Sequence, residues 1–327
     1  MQSKVHQKST ETTTRNFVYR HLMSDIHKRI EAYGRQGALD LTSSDAERRA
    51  VDAALEFLSD EDPSLGFLYS GWCQTGLPHR RLDDDQIWLL ETSYVRLMVE
   101  PGSVKRDGVP ARIGVPYGSR ARLILLFLQT EAIKTNSREI ELGKSLRSWL
   151  TRLNVPIGGK SMRDVKEQAT RISRCRMTFE IKDGNKIGLI NQNIVDTALF
   201  TDEHDGALLE TVRLSESFFD QLKRHPVPLQ ESAIRAISNN SQALDIYFWL
   251  VYRLHERVTV QKVSWPALKV QFGASYTHMR NFKISFRDAL QIALAIYPEA
   301  KVGIDEDGVT LSPSASPVSR RLPKKMR

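Results

Sequence analysis

The sequence is poor in cysteine and lacks long apolar runs. Its 327 residues include two cysteines, Cys73 and Cys175, and no stretch of 18 apolar residues. Two cysteines are too few for a disulfide framework or a multi-cysteine zinc site, and such scarcity is typical of a reducing compartment. The sequence offers no candidate membrane span, and its first ten residues lack the apolar core of a signal peptide. We therefore expect a cytoplasmic protein with no membrane partner.

The motifs of common enzyme classes are missing or incomplete as well. The segment Gly158–Ser161 resembles the end of a phosphate-binding loop, but Asn154 stands where that motif requires glycine. The aspartates at 83–85 fit a solvated turn better than a nuclease metal site. Spacing alone does not make Cys73 and His79 a nucleophile and its base. We expect no catalytic residue, no metal, and no cofactor or nucleotide requirement, so the chain is not predicted to be an enzyme.

Positive charge, by contrast, is plentiful and is concentrated at the two ends of the chain. The net charge is +8 and the sequence pI is about 9.4, which indicates an anionic partner. Residues 1–30 carry +4 and residues 318–327 carry +5, so the residues between them are nearly neutral. Basic terminal segments are typical of arms that hold phosphates without sequence preference. We predict a flexible basic arm at 1–30 and a disordered basic tail at 313–327.

The spacing of apolar residues predicts a mainly helical α+β fold. A helical pattern at 25–58 precedes short strands at 87–90 and 94–99. From about residue 119 three helices and a hairpin follow one another, with a very short strand at 138–142 after the first helix. The order helix, helix, helix and hairpin is typical of a winged helix-turn-helix, and it recurs about 122 residues later. The predicted domains are an N-terminal helix with a strand and loop layer at 31–114, a first winged helix at 115–205 and a second at 206–312.

The third helix of each predicted unit is the candidate for DNA recognition, because a helix-turn-helix inserts that helix into the major groove. In the helix at 160–174, an inward stripe of Met162, Val165, Ala169 and Ile172 leaves a strongly basic opposite face. Its one carboxylate suits cytosine, and a hydroxyl at the helix start suits a phosphate. The candidate DNA-binding residues here are Lys160, Ser161, Arg163, Glu167, Arg171 and Arg174.

The helix predicted at 276–296 has a face better suited to reading bases. Arginine pairs well with guanine, asparagine with adenine, and an exposed isoleucine with the thymine methyl group. The candidate residues are Thr277, Arg280, Asn281, Lys283, Ile284 and Arg287, opposite a predicted buried stripe of Met279, Phe282, Phe286, Ala289 and Ala293. Lys182, Lys186 and Lys301 in the predicted hairpins are weaker candidates for phosphate contact.

Long co-linear segments between residues 65 and 300 are similar to one known family. They are LGFLYSGWCQTGLPHRRL (65–82), VPYGSRARLILLFLQTEAIKTNSREIELGKSLRSWL (115–150), PIGGKSMRDVKEQATRISRCRMTF (156–179), NQNIVDTALF (191–200), VRLSESFFDQLKRHPVPL (212–229), SNNSQALDIYFWLVYRLH (238–255) and VSWPALKVQFG (263–273). These segments closely resemble plasmid-encoded RepA replication proteins. The first 60 residues and the basic tail carry no such resemblance.

The resemblance implies a replication initiator that binds double-stranded DNA at repeated origin sites, called iterons. It further implies opening of an adjacent AT-rich region, recruitment of the host initiator DnaA and the helicase DnaB, and control of plasmid copy number. Many such proteins repress their own gene, often as homodimers, whereas monomers bind the iterons. A winged-helix transcriptional repressor is the alternative, and a metal-dependent DNA-processing enzyme is a less favoured one.

Overall fold

The fold is that of a computed structural model, described over residues 17–143, 145–183, 186–201, 208–255 and 258–318. Helices alternate with small antiparallel sheets, which confirms the predicted α+β class. The helices are α1 (Phe17–Asp40), α2 (Asp45–Ser59), α3 (Ser70–Gln74), α4 (Gly118–Thr135), α5 (Leu146–Arg152), α6 (Gly159–Arg174), α7 (Glu216–Arg224), α8 (Glu231–Ala236), α9 (Ser241–Leu254), α10 (Trp265–Phe272) and α11 (Met279–Ala295). The strands are β1 (Leu65–Tyr69), β2 (Trp88–Glu91), β3 (Val95–Glu100), β4 (Ser103–Arg106), β5 (Val109–Arg112), β6 (Glu139–Glu141), β7 (Arg176–Asp183), β8 (Lys186–Gln192), β9 (Val195–Thr201), β10 (Leu208–Leu214), β11 (Pro226–Gln230), β12 (Gln261–Ser264), β13 (Val302–Ile304) and β14 (Gly308–Leu311).

The element order predicted for the second unit is present, together with a short strand that the prediction missed. Helix α9 is followed by β12, α10, α11 and the hairpin β13–β14, and β14 lies between β12 and β13 in their sheet. Ser264 is both the last residue of β12 and the N-cap of α10, since its side chain accepts a hydrogen bond from the Ala267 backbone N–H. The small sheet thus fixes the hairpin beside the helices α10 and α11.

The first unit follows the same order through α4, β6, α5 and α6, but its hairpin prediction needs a correction. The predicted β7–β8 hairpin forms, yet β7 pairs with β3 in a four-stranded sheet of order β2-β3-β7-β8. The strand beside β6 is β10, which also pairs with β9. Local alternation predicts a strand but not its partner, and here the buried Met177 and Phe179 of β7 stand opposite Val99 and Leu97 of β3.

The N-terminal helices pack on the second unit. Helix α2 starts at the cap residue Ser44, which accepts from the Glu47 backbone N–H, and its buried alanines face α11. The side chain of His27 in α1 lies 2.8 Å from the Ala295 carbonyl oxygen near the end of α11. Residues 17–30 of the predicted flexible arm lie in α1, whereas residues 1–16 lie outside the described residues.

A two-stranded sheet joins residues 65–69 to residues 226–230, in the second half of the chain. Strand β1 pairs antiparallel with β11, and the two prolines of β11, Pro226 and Pro228, are accommodated in this two-stranded sheet. Proline tolerates such a position because the strand has a free edge, where its missing N–H breaks no ladder hydrogen bond. The predicted domain boundaries stay a prediction.

The first helices of the two units, α4 and α9, pack against each other and are mostly buried. At their contact the guanidinium of Arg122 donates to both carboxylate oxygens of Asp245, at 2.5 and 2.6 Å, and both side chains are almost inaccessible. Arg122 also donates to the carbonyl oxygens of Leu77 and Gly118. A buried, fully hydrogen-bonded ion pair therefore links the two units to the loop that follows α3.

The C-terminal residues 313–318 lie against the second unit, where the Tyr297 hydroxyl donates to the Ala315 carbonyl oxygen at 2.8 Å. The rest of the predicted basic tail, 319–327, lies outside the described residues. Among the residues that the structure describes, no helix has the length and apolar character needed to cross a bilayer.

Candidate nucleic-acid interface

Helix α6 has the two faces that its sequence predicts over most of its length. Val165, Ala169 and Ile172 are buried in the core and Met162 packs against them, which confirms the predicted inward stripe. On the outer side Lys160 and Arg163 are exposed, and Ser161 is half-buried at the first turn. These residues lie at the N-terminal end of the helix, which is the end that enters the major groove in a helix-turn-helix.

The prediction that Arg171 lies on the outer face of α6 is wrong. Its side chain is 4% exposed, and it donates to the Val115 carbonyl oxygen at 3.0 Å and to Glu167 at 2.8 Å. Its guanidinium also lies over the ring of Tyr117 and 3.5 Å from Asp84. The segments around Asp84 and Val115 cover this side of the helix, and a helical periodicity cannot show contacts made by distant segments.

Glu167 is half-buried, and its carboxylate is occupied by Arg171. The predicted contact of this carboxylate with cytosine would require it to leave that ion pair. Arg174, at the C-terminal end of α6, is exposed, and its guanidinium lies 3.4 Å from the Ser103 carbonyl oxygen of β4. The outward cations of α6 therefore form a surface that continues onto the β4–β5 hairpin.

Helix α11 is exposed only in its N-terminal half. Arg280, Asn281 and Thr277 are exposed, and Ile284 retains 52% of its surface although it is a large apolar side chain. The predicted stripe is confirmed, since Phe282, Phe286, Ala289 and Ala293 are buried and Met279 packs against the core. The C-terminal half is buried on further faces because α2 packs across it. The C-terminal half of α11 therefore packs into the core, and the first two turns of the helix are accessible to a partner.

Lys283 and Arg287, the flanking candidates of α11, are half-buried and turn toward Trp265. The ammonium of Lys283 lies 5.0 Å from the centre of that ring and donates to the Glu306 carbonyl oxygen, and the guanidinium of Arg287 lies 5.4 Å from the ring centre. Contacts of this kind hold the cations against the protein. Both residues lie beside the exposed turns of α11, with part of their donor capacity engaged within the chain.

The hairpin tip of the second unit is acidic. Asp305, Glu306 and Asp307 form the turn between β13 and β14, where the ammonium of Lys262 lies 2.9 Å from both aspartates and that of Lys283 reaches the Glu306 carbonyl oxygen. The hydrogen bond from Lys262 lowers the pKa of Asp305. A tip with this charge repels phosphate, so α11 rather than the hairpin β13–β14 is the DNA-binding candidate of this unit. Lys301 is exposed, whereas Lys182 and Lys186 lie outside the residues whose side chains are described.

Among the groups that the sequence offers as possible catalysts, Cys73 is buried, His79 is half-buried and Asp84 is paired, whereas Asp83 and Asp85 are exposed. Burial raises the pKa of the Cys73 thiol, and burial together with the charge of Arg122 lowers the pKa of His79 to about 3. Asp84 forms a bidentate ion pair with Arg81, and among the described residues no group of three or more His, Cys, Asp or Glu side chains is placed to hold a metal ion. A protonated thiol beside a weakly basic imidazole is a poor nucleophile pair.

The fold resembles that of a solved two-domain fragment. The crystal structure of selenomethionine derivatives of domains 2 and 3 of RctB matches with a TM-score of 0.50 and 13% identity, covering 76% of this chain and 99% of that one. A second crystal structure, of RctB domains 2–3, matches with a TM-score of 0.45 and 12% identity over 75% of this chain and 97% of that one. At such identity the likeness of the first structure concerns the fold alone.

Residues 115–267 match the family model described as plasmid encoded RepA protein. The match confirms, over this segment, the resemblance to plasmid-encoded RepA proteins that the sequence shows. The matched segment begins just before α4, includes all of α6, and ends in the first turn of α10. No curated protein matches the chain significantly in sequence.

Proposed function

We propose that this chain initiates plasmid replication by binding repeated sites in origin DNA through two winged helices. The family match supports a role as a plasmid replication initiator. The observation that carries the DNA-binding part is the N-terminal half of α11, where Arg280, Asn281 and Ile284 are exposed on a helix that is anchored in the core by its opposite face. An exposed isoleucine between two base-reading side chains has little value for folding and is well suited to a thymine methyl group.

The topology of each unit supports the winged-helix assignment. In both units a short strand follows the first helix and pairs with the second strand of a later hairpin, which places the third helix, α6 or α11, on the surface. A third helix in that position is the one that enters the major groove. In the first unit this assignment makes β9 and β10 the wing, with β7 and β8 as an insertion in a separate sheet.

The two recognition helices have different tasks in this proposal. Helix α11 discriminates bases, with Arg280 for guanine and Asn281 for adenine. Helix α6 supplies mainly phosphate affinity through Lys160 and Arg163, because its carboxylate and one of its arginines are engaged with each other. Since the Arg122–Asp245 ion pair joins the first helices of both units, their relative orientation is fixed, and the DNA sites must be presented at a fixed spacing.

The test is footprinting of the protein on the DNA flanking its own gene, with unrelated DNA as competitor at low and high salt. Regularly spaced protected repeats that survive high salt are expected. Arg280→Ala should then weaken binding to the repeats by about 1–3 kcal/mol and leave binding to random DNA unchanged. Lys160→Ala should weaken binding to both and reduce the slope of log K against log salt by about 0.9. If Arg280→Ala weakens specific and random binding equally, α11 does not read bases.

Beyond DNA binding, we propose that the chain opens the origin, recruits DnaA and DnaB, and represses its own gene as a dimer. A transcriptional repressor with the same fold would give the same footprints, so a replication assay separates the two functions. An origin plasmid should replicate with the wild-type chain and fail with Arg280→Ala. A repressor alone would shut off the promoter without supporting replication.

We also propose that the chain itself catalyses no reaction. The bidentate pairing of Asp84 with Arg81 supports this proposal, because a carboxylate held by a guanidinium is a poor metal ligand. Incubation with DNA, nucleotides and Mg²⁺ should yield neither cleavage nor synthesis. Activity that is abolished by replacing Asp83–Asp85 with alanine would overturn this part of the proposal.

A further inference from the structure

The β4–β5 hairpin is an outlying element with little reason to exist for folding. Its strands pair only with each other among the described residues, and Lys105, Arg106, Val109 and Pro110 are all exposed. Its turn residues Asp107–Gly108 both have positive φ, at 52° and 86°, as a two-residue hairpin requires. An isolated two-stranded hairpin is marginally stable and buries little apolar surface. Such an element is retained for contact with something outside the chain.

The base of this hairpin is closed by its own hydrogen bonds and lies against the C-terminal end of α6. The Ile113 backbone N–H donates to the Gly102 carbonyl oxygen at 3.2 Å, and Arg112 donates to the Pro101 carbonyl oxygen at 2.7 Å. Gly102 lies so close to the backbone of Arg174 that a Cβ atom there would be 2.4 Å from the Arg174 carbonyl oxygen. The hairpin therefore projects from α6 in a defined direction.

A groove of about 440 Å³ separates the hairpin from the outer face of α6. Arg106 and Val104 line it from the hairpin, and Arg163 and Thr170 line it from the helix. Lys166 also lines the groove, and two further lining arginines are paired, Arg81 with Asp84 and Arg171 with Glu167. Arg106 and Arg163, in contrast, make no ion pair with any carboxylate in the described part of the chain. Two uncompensated guanidinium groups thus line opposite walls of one open groove.

The chemistry that fits this groove is an extended anionic strand. Guanidinium groups bind phosphate oxygens bidentately, and Lys105 adds a third exposed cation at the hairpin tip. The hairpin carries no Asn or Gln, the side chains that pair with adenine, whereas Lys105 and Arg106 suit guanine as well as phosphate. A groove lined by guanidinium groups on both walls suits a sugar-phosphate backbone, whereas a guanine contact would make the affinity depend on sequence.

We propose that the β4–β5 hairpin is a second DNA-binding element of the first unit. Lys105 and Arg106 hold the phosphates of the strand that flanks the major groove occupied by α6. This inference rests on the proposed function, because it takes the outer face of α6 as the DNA-facing side. It assigns a role to part of the N-terminal layer, in which the sequence reveals no chemistry, and it supplies the basic contact that the acidic β13–β14 tip of the second unit lacks.

The experiment is a salt titration of DNA affinity for the double variant K105A/R106A in the full chain, with a random-sequence duplex and with the DNA flanking the gene. Loss of two phosphate contacts should reduce the slope of log K against log salt by about 1.8 on both duplexes. Equivalently, the ratio of wild-type to variant affinity should fall about 12-fold as salt rises from about 50 to about 200 mM. The protected repeats should keep their sequence and spacing.

The matched control is K223A/R224A, which removes the same charge from exposed positions on α7, a helix that contributes no residue to the groove. Its salt slope should stay near that of the wild type. Equal slopes for K105A/R106A and wild type, or equal reductions in both double variants, would overturn the proposal. If the wild-type chain itself gives no discrete footprint, the proposed function fails instead, so the two failures are distinguishable. Thermal unfolding of each variant checks that the fold is intact.

Discussion

The buried ion pair between Arg122 and Asp245 gives the sharpest energetic prediction. The carboxylate of Asp245 is enclosed between α4 and α9, and burial raises its pKa while Arg122 opposes that shift. In Asp245→Ala the guanidinium of Arg122, with a side chain only 5% exposed, would remain buried without its counter-charge. Removal of one partner from a buried pair costs about 3–5 kcal/mol, because the other charge is left uncompensated.

The expected shift in melting temperature follows from the size of the chain. An unfolding entropy of about 2.1 cal/mol/K per residue gives about 0.7 kcal/mol/K for a chain of this length, if it unfolds as one unit. A loss of about 4 kcal/mol then lowers Tm by about 6 °C. Calorimetry or thermal melting followed by circular dichroism measures this directly.

A double-mutant cycle isolates the interaction itself. Arg122→Met removes the cation but also leaves the Leu77 and Gly118 carbonyl oxygens without their donor, so it is destabilising on its own. The double variant Arg122→Met with Asp245→Ala should lose less than the sum of the losses of the two single variants, by about 2–3 kcal/mol.

The control is an exposed ion pair that also involves helix α4. Lys134 of α4 donates to Glu231 of α8 at 2.7 Å, but these side chains are 41% and 28% exposed. Exposed pairs are worth less than about 1 kcal/mol, since water screens the charges. If the coupling energy of Lys134 and Glu231 equals or exceeds that of Arg122 and Asp245, burial does not determine the strength of the ion pair between α4 and α9, and the prediction is refuted.

Two other changes test the structure at single positions. The pKa of His79, lowered to about 3, lies below the value of about 6.5 expected for the unfolded chain, so the unfolded state binds a proton between these values and the folded state does not. The stability that neutral His79 provides is therefore present above about pH 6.5 and is lost as the pH falls below that value. Denaturant titrations between pH 7 and pH 5.5 should show that the free energy of unfolding falls by about 1 kcal/mol more in the wild type than in His79→Asn. Parallel losses would mean that His79 is accessible to protons in the fold. In the second unit, Gly308→Ala would place a methyl carbon 2.0 Å from the Val263 carbonyl oxygen, whereas Gly303→Ala in the same hairpin would meet its nearest neighbour, Thr310, at 3.8 Å. Chemical denaturation should show a loss of about 2–3 kcal/mol for the first and under about 1 kcal/mol for the second, and equal losses would contradict the close approach of β12 to β14.

The interior of each helix was predictable because burial leaves a periodic trace. The inward stripes of α6 and α11 were predicted from the sequence, as were the hairpins β7–β8 and β13–β14. These features depend on neighbours within one or two turns, so the local sequence contains them. The plasmid RepA resemblance was also contained in the sequence, since it rests on long ordered segments.

Contacts between distant segments decided the rest. Arg171 has the periodicity of an outward residue, yet the segments around Asp84 and Val115 cover it, and the β7–β8 hairpin pairs with a strand that precedes it by about 80 residues. The groove between α6 and the β4–β5 hairpin also forms from distant segments, since Arg106 and Arg163 line its opposite walls. The longer helices and their apolar faces follow from local periodicity, so the sequence predicts them. Which outward charges stay exposed to a partner depends on what else folds against them, so this became clear only from the folded chain.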